Sequence, residues 1–369
     1  MVIKILRKII IGILLSVIII IAGLLIFMMV TEYRPSPTAE LAIEGKAEAS
    51  YHIGDRIKIM SWNIGYGALG DNADFFMDGG EMVMTADKGR VLENMESILS
   101  TIESVKPRIL FLQETDYNST RSYGLDECQM IRDKLPGYES SFGFNHKTLL
   151  VPYPIPPIGR VEAGVMTFTD SHVTSANRIQ LPIPFKWPVR MVNLKRCVVE
   201  TRIPIYKKDG KKSKSSDSKK QIISELVLFN THLEAYDDGE GKIAQTRMLA
   251  GLLNREREKG NYVIAGGDIN QFFSTEAREA YPEQTDKWQP GTLDTEQFGE
   301  GWTFLSDSKI PSCRSLDQPY QGADHDKFQY YVIDGFIVSD NIKVQKLETL
   351  NLDFKNSDHN PVVMTFSMK

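Results

Sequence analysis

Cysteine is scarce in this chain. Three residues in 369, Cys128, Cys197 and Cys313, stand far apart and are odd in number. They outline neither a disulfide framework nor a thiolate metal site, and read as ordinary buried or half-buried thiols. A surplus of basic residues is also missing. The formal net charge is −5, and setting aside Lys4, Arg7 and Lys8 leaves −8 for everything after residue 30. That balance argues against a sequence-blind nucleic-acid binder, whose surface is usually basic. Charge of either sign is absent from Ile9 to Val30, a run rich in isoleucine and leucine. At ~1.5 Å per residue the run spans about 30 Å, the depth of a bilayer core. No small-x-small cleavage site directly follows it, and the apolar stretch of a signal peptide is normally shorter. An uncleaved transmembrane anchor is therefore expected over 9–30. The basic residues ahead of it place 1–8 in the cytoplasm and the rest of the chain outside. Residues 31–52, with Pro35 and Pro37, read as a linker, and 53–369 as the folded part of a single-pass cell-membrane protein.

What is present suits a globular domain: 42% hydrophobic and 25% charged residues leave room for a sizeable core. Residues 56–64 alternate polar and apolar side chains, which predicts a strand with one buried face. The segment 71–80 after it reads as a mobile loop. Val91, Met95, Ile98 and Ile102 recur at helical spacing and Pro107 closes that helix. The apolar run 108–114 predicts a buried strand with Glu114 at its tip. A second helix is expected over 125–135 and a third over 242–258. Strands are expected over 161–169, 194–205, 225–230, 331–339 and 362–366.

Two stretches resist that scheme. Val151–Pro157 and Leu181–Pro188 are apolar yet rich in proline, which excludes both from helix interiors and central strands. They read as irregular loops packed on the domain, with an exposed apolar lip against a membrane or a lipid as the alternative. Residues 207–220 carry seven lysines and predict a solvated hairpin tip, or less simply a contact for anionic lipid or polyphosphate.

Chemistry concentrates at Val263-Ile264-Ala265-Gly266-Gly267-Asp268-Ile269-Asn270. The glycines permit a tight turn, and Asp268 and Asn270, two apart in extended chain, project to one side. A carboxylate beside an amide suits a hard cation or a phosphoryl group under attack. A plain Asx turn explains such a motif when it stands alone. Here other strand ends also carry polar residues: Asn63, Glu114, His232, Asp334, and Asp358 with His359. A carboxylate such as Asp334 within an apolar run needs a partner. Convergence of these strand ends on one metal-bearing site accounts for all of them together.

In this order, Ser61-Trp62-Asn63, Gln113-Glu114, Thr231-His232-Leu233, Gly267-Asp268-Ile269-Asn270, Ile333-Asp334 and Ser357-Asp358-His359-Asn360-Pro361 resemble the endonuclease/exonuclease/phosphatase superfamily, the DNase I-like metal-dependent phosphoesterases. The resemblance covers residues ~56 to 367. It implies an α/β fold, a four-layer α/β/β/α sandwich of two mixed sheets flanked by helices, here preceded by the N-terminal transmembrane helix. It further implies Mg²⁺ or Mn²⁺ on Glu114, with Asn63 and Asp358 nearby. His359, supported by Asp334, would act as general base for the attacking water or stabilise the transition state. Asp268 would position that water, Asn270 would hold a phosphoryl oxygen, and His232 would donate a hydrogen bond or proton. Arg196 is the candidate phosphate contact on a middle strand, with Arg202 second. The carboxylate that pairs with the first histidine in some relatives has no counterpart the sequence identifies.

The function so implied is hydrolysis of a phosphodiester or phosphomonoester by metal-assisted water attack, outside the cell. An extracellular nuclease, a sphingomyelinase-like phospholipid phosphodiesterase and a non-catalytic surface binding module are the alternatives. A monomer is expected.

Overall fold

The computed structural model describes residues 1–207, 222–236 and 239–369. The lysine-rich segment, apart from Lys207, lies outside the described residues. Two mixed sheets form the body. One runs in the order Thr38–Glu40, Ser175–Gln180, Cys197–Tyr206, Ile222–His232, Tyr262–Asp268, Asp334–Ser339, Trp302–Leu305, with Tyr51–His52 beside Cys197–Tyr206. The other runs Ile342–Thr349, Val362–Met368, Ile57–Asn63, Ile109–Asp116, Gly159–Thr169, Glu139–Val151, Glu44–Gly45.

Three apolar layers hold these sheets in a four-layer sandwich. Between the sheets, Ile57, Ile59 and Phe111 from one meet Ile203, Leu228 and Ile264 from the other. Outside the sheet that holds Ile57–Asn63, Met60, Trp62 and Leu112 pack on Val91, Met95 and Ile98 of the helix Lys88–Val105. Outside the sheet that holds Tyr262–Asp268, Val227, Phe229 and Val263 pack on Leu249 and Leu253 of the helix Glu240–Glu258. Each such fully buried side chain contributes on the order of 1.5–3 kcal/mol, which makes these layers the dominant cohesive term. The helix starts and stops follow local chemistry. Asp87 accepts the Arg90 N–H at 2.8 Å as N-cap of Lys88–Val105, and the helix ends at Lys106 (φ 51) because Pro107 disfavours helical backbone before it.

Four expectations need correction. The strand Ile57–Asn63 is buried on both faces rather than one, since Ile57 and Ile59 face the sheet opposite while Met60 and Trp62 face a helix. The stretch read as a linker donates Thr38–Glu40, Glu44–Gly45 and Tyr51–His52 to the sheets, so the folded unit takes in part of 31–52. Residues 71–80 are packed rather than loose: Ala73 is buried in the core, Asp71 pairs with Arg90, and Asp74 Oδ1 accepts the N–H groups of Glu81 and Met82 at 2.7 Å. The strands Glu139–Val151 and Ser175–Gln180 were not anticipated. They alternate buried and half-buried positions too irregularly, through bulges near Phe144/His146 and Thr148/Val151, to show a clean period of two.

The topology places the polar residues. Ile57–Asn63, Ile109–Asp116, Ile222–His232 and Tyr262–Asp268 run parallel within their sheets and end at one edge of the sandwich. Two antiparallel strands begin there: Asp334 pairs with Asp268, and Val362 pairs with Ser61 just after Asp358 and His359. Before all of this stands the helix Val2–Thr31, long and apolar enough to cross a membrane and exposed along most of its length.

Candidate active site

Asn63 forms the hub. Its amide nitrogen donates to Glu114 Oε1 at 3.0 Å and to Asp268 Oδ2 at 3.1 Å, and lies 3.5 Å from His359 Nε2. Its oxygen accepts the Gly65 N–H at 3.1 Å, so in this arrangement it turns a donor, not an oxygen, toward the acids. His232 Nε2 lies 3.4 Å from Asp268 Oδ2 and 4.0 Å from Glu114 Oε1, and His359 Nε2 lies 3.7 Å from the same Asp268 oxygen and 3.9 Å from Asp358 Oδ2. His359 Nδ1 donates to Asp334 Oδ2 at 2.8 Å. Side chains spread over some three hundred positions thus share one basin.

Backbone conformation aims them. Glu114 has φ 53 at a register shift in the pairing of Ile109–Asp116 with Gly159–Thr169, and this bulge turns its carboxylate out of the sheet. It is the most open of the acids, with its side chain 25% exposed. Asn270 also has positive φ (50); its N–H donates to Asp268 Oδ1 and its side-chain amide to Leu233 O, both at 2.9 Å. Gly267 has φ 135, and a Cβ there would stand 1.9 Å from Thr231 O, so only glycine lets the strands close up behind Asp268. Ser357 and Trp62 lock the last motif: Ser357 Oγ donates to Asn63 O at 2.8 Å, and Trp62 Nε1 donates to His359 O at 2.8 Å.

Arg196 is buried in the same wall. It donates to Glu234 Oε2 at 3.2 Å and to the His232 carbonyl at 3.3 Å. Arg202 is elsewhere, ion-paired with Glu200, Glu225 and Glu256. Sequence reasoning missed three members of the neighbourhood. Arg121 pairs with Asp116 at 2.9 Å, lies 3.5 Å over the Tyr66 ring and borders the same cavity. Gln113 Nε2 donates to Asn230 Oδ1 at 2.8 Å, joining the two sheets under the site. Ser312 Oγ accepts the Asp334 N–H at 3.1 Å. Only Gln113 sat in a motif; Arg121 and Ser312 lie in loops without a pattern, where partners are fixed by tertiary contact alone.

The electrostatics divide the two histidines. Burial, followed by the positive neighbours Arg196 and His359, pushes His232 well below the usual imidazole range and keeps it neutral. Burial also opposes charge on His359, but the carboxylates of Asp334 and Asp358 outweigh it and hold that imidazole protonated. Asp268 is pushed up to about 7 by burial and then by Asp334. Asp358 reaches about 7 by burial, with Glu114 adding and His359 opposing.

Two compact groupings of possible metal donors occur among the described residues, Asp268 with Asp334 and His359, and Cys313 with Asp358 and His359. Both include the His359 imidazole and one includes a thiol, softer donors than the oxygens Mg²⁺ or Mn²⁺ takes, so neither is a convincing cage for those ions. Glu114 and Asp358 make a better case. Glu114 raises the cost of charging Asp358, both offer oxygen, and Glu114 is open to the cavity, which is the donor chemistry Mg²⁺ or Mn²⁺ prefers.

No protein-family model matches the sequence, and no curated protein matches it. Solved structures do share the fold. An endonuclease/exonuclease/phosphatase from Beutenbergia cavernae DSM 12333 superposes with a TM-score of 0.54 at 15% identity, covering 85% of this chain and 72% of that one. An endonuclease/exonuclease/phosphatase family protein from Bacteroides thetaiotaomicron gives 0.51 at 14% identity, covering 87% and 97%. The chain therefore has the fold that its sequence motifs implied.

Proposed function

From that shared fold, we propose that this chain is a divalent-metal-dependent phosphoesterase that hydrolyses a phosphodiester, held at the outer face of a membrane by the helix Val2–Thr31. The observation that carries the reading is the meeting of Asn63, Glu114, His232, Asp268, Asp358 and His359 within hydrogen-bond or near-contact distances at one edge of the sandwich.

Glu114 and Asp358 would hold the metal, with Asn63 steering the Glu114 carboxylate. The cation would supply Lewis-acid stabilisation of the charge that builds on the phosphoryl oxygens. His359, kept protonated by Asp334, presents a cationic N–H where a phosphoryl oxygen gains charge. This favours the stabilising role over the general-base role for that histidine. Asp268 orients water through the oxygen that faces both histidines, and neutral His232 accepts or relays a proton. Asn270 and Arg196 line the place where the phosphate would sit. The balance is simple: the water oxygen forms a new P–O bond, the P–O bond to the alcohol breaks, and one water proton ends on that alcohol.

The test is turnover of bis(4-nitrophenyl) phosphate by the full-length protein in detergent with Mg²⁺ or Mn²⁺. Hydrolysis that EDTA abolishes and Glu114→Gln removes supports the reading. Equal rates in wild type and Glu114→Gln refute it.

A further inference from the structure

The floor of the site is polar, but the cavity above it is not. About 680 Å³ of space, ample for a small-molecule site, continues upward between Phe76, Val151, Tyr153, Phe185 and Val189. Its far rim is made by Leu25 and Met28 of the N-terminal helix. Met28 is the buried residue of that helix, while its other faces are bare. Leu25 stands five residues before the end of the charge-free run, roughly 7 Å inside the apolar span at the rise of a helix.

This meeting of helix and cavity is clasped. Glu32, its side chain only 3% exposed, pairs with Arg190 at 3.3 Å and Lys195 at 3.8 Å, both from the segment that follows the second proline-rich stretch. The two proline-rich stretches, which the sequence left open between packed loops and an exposed lip, present Tyr153, Ile155 and Trp187 to the outside, with Val189 just after them, Ile155 being 92% exposed. Such an apolar fringe is costly in water and suits a membrane interface, where tyrosine and tryptophan are favoured.

We propose that the site draws its substrate from the bilayer itself: a phosphate ester carrying a long hydrocarbon tail, its phosphate on the polar floor and its tail along the apolar wall, leaving between Met28 and the proline-rich lip. This rests on the phosphoesterase reading above and names its substrate class. The step is the same hydrolysis, with the water oxygen added to phosphorus and the lipid alcohol or head-group alcohol released with a proton. A nucleic acid has no use for the wall, because its phosphates need a wide basic approach, whereas here the approach is hydrocarbon and the chain is acidic.

The experiment uses full-length protein in phosphatidylcholine vesicles with Mg²⁺, offered four probes. These are dioleoyl phosphatidylglycerol, its dibutanoyl homologue, a polyprenyl phosphate and plasmid DNA, with bis(4-nitrophenyl) phosphate alongside. The expected result is kcat/KM at least about 100-fold higher for a long-tailed ester than for the dibutanoyl homologue; a preference for the diacyl lipid or for the polyprenyl phosphate names the source of the tail. Met28→Asp combined with Phe76→Asp should flatten that dependence on chain length, and Met28→Leu should retain it, with thermal unfolding of each variant reporting its fold. Equal rates on long and short tails, or preferred cleavage of DNA, overturn the proposal while leaving the hydrolase reading standing. No turnover of any probe, the nitrophenyl ester included, overturns both.

Discussion

Two buried clusters of charge sit at opposite ends of the sandwich, and they are built on opposite rules. At one end, Glu256 is fully buried and met by Arg202 at 2.7 Å, Lys259 at 2.7 Å and the Asn261 amide at 3.0 Å. Although burial opposes its charge, those partners prevail and hold its carboxyl down at about 2. At the other end, Asp268, Asp334, Asp358 and Glu114 crowd together, and Asp334 keeps one buried oxygen without a partner among the described residues. There burial and mutual repulsion win, and Asp268 and Asp358 rise to about 7. A cluster whose charges are matched inside the chain is structural. One that is short of cations is waiting for a cation or a phosphoryl group from outside.

Variants should separate the two ends sharply. The largest effect belongs to the unmatched cluster: His359→Ala or Glu114→Gln should lower turnover of bis(4-nitrophenyl) phosphate about 10³-fold or more, and Glu114→Gln, at the most open of the acids, should leave the melting temperature little changed. A large loss of stability with Glu114→Gln would instead make that end structural too. Next comes Glu256→Gln at the matched end, which removes one of the three carboxylates around Arg202 and should cost about 1.5–3 kcal/mol in chemical denaturation while turnover of the remaining folded enzyme is unchanged. The sign in pH follows from the depressed carboxyl: the Glu256 contribution is complete above about 4.5, the unfolded value, and is lost as pH falls toward about 2. Unfolding curves of wild type and variant should converge across that window.

A smaller effect tests the unmatched cluster without mutation. Metal binding requires ionised ligands, so the rise in melting temperature caused by millimolar Mg²⁺ should grow as pH increases through about 7, where Asp358 loses its proton. A rise that is equal at about pH 5.5 and about pH 8 would count against Asp358 as a ligand. The smallest effect marks the limit of the comparison. Lys346 and Glu348 make a short exposed pair at 2.6 Å, and Lys346→Ala should change stability by less than about 1 kcal/mol, because solvent screens what burial would amplify.

Much of this was legible in the sequence because strand ends speak locally. Asn63, Glu114, His232 and Asp268 each close an apolar run, and the resemblance of these motifs, in their order, to a known superfamily implied the sandwich. The helices Lys88–Val105 and Glu240–Glu258 announced themselves through the spacing of their buried residues. What stayed hidden was set at long range. Arg121 is given its place by Asp116 and the Tyr66 ring, and Gln113 by Asn230 in the other sheet. The matched cluster was invisible for the same reason, since nothing near Arg202 in sequence foretells Glu256. The residues 38–52 looked like a linker because their strands are two or three residues long, too short to show a period.

Calorimetric titration of Mg²⁺ or Mn²⁺ into the full-length protein in detergent, beside Glu114→Gln, tests the unmatched cluster most directly. Saturable binding in the wild type, weakened at least about tenfold in the variant, is the expected outcome. Identical isotherms for the two proteins, or no binding by either at millimolar metal, would contradict it.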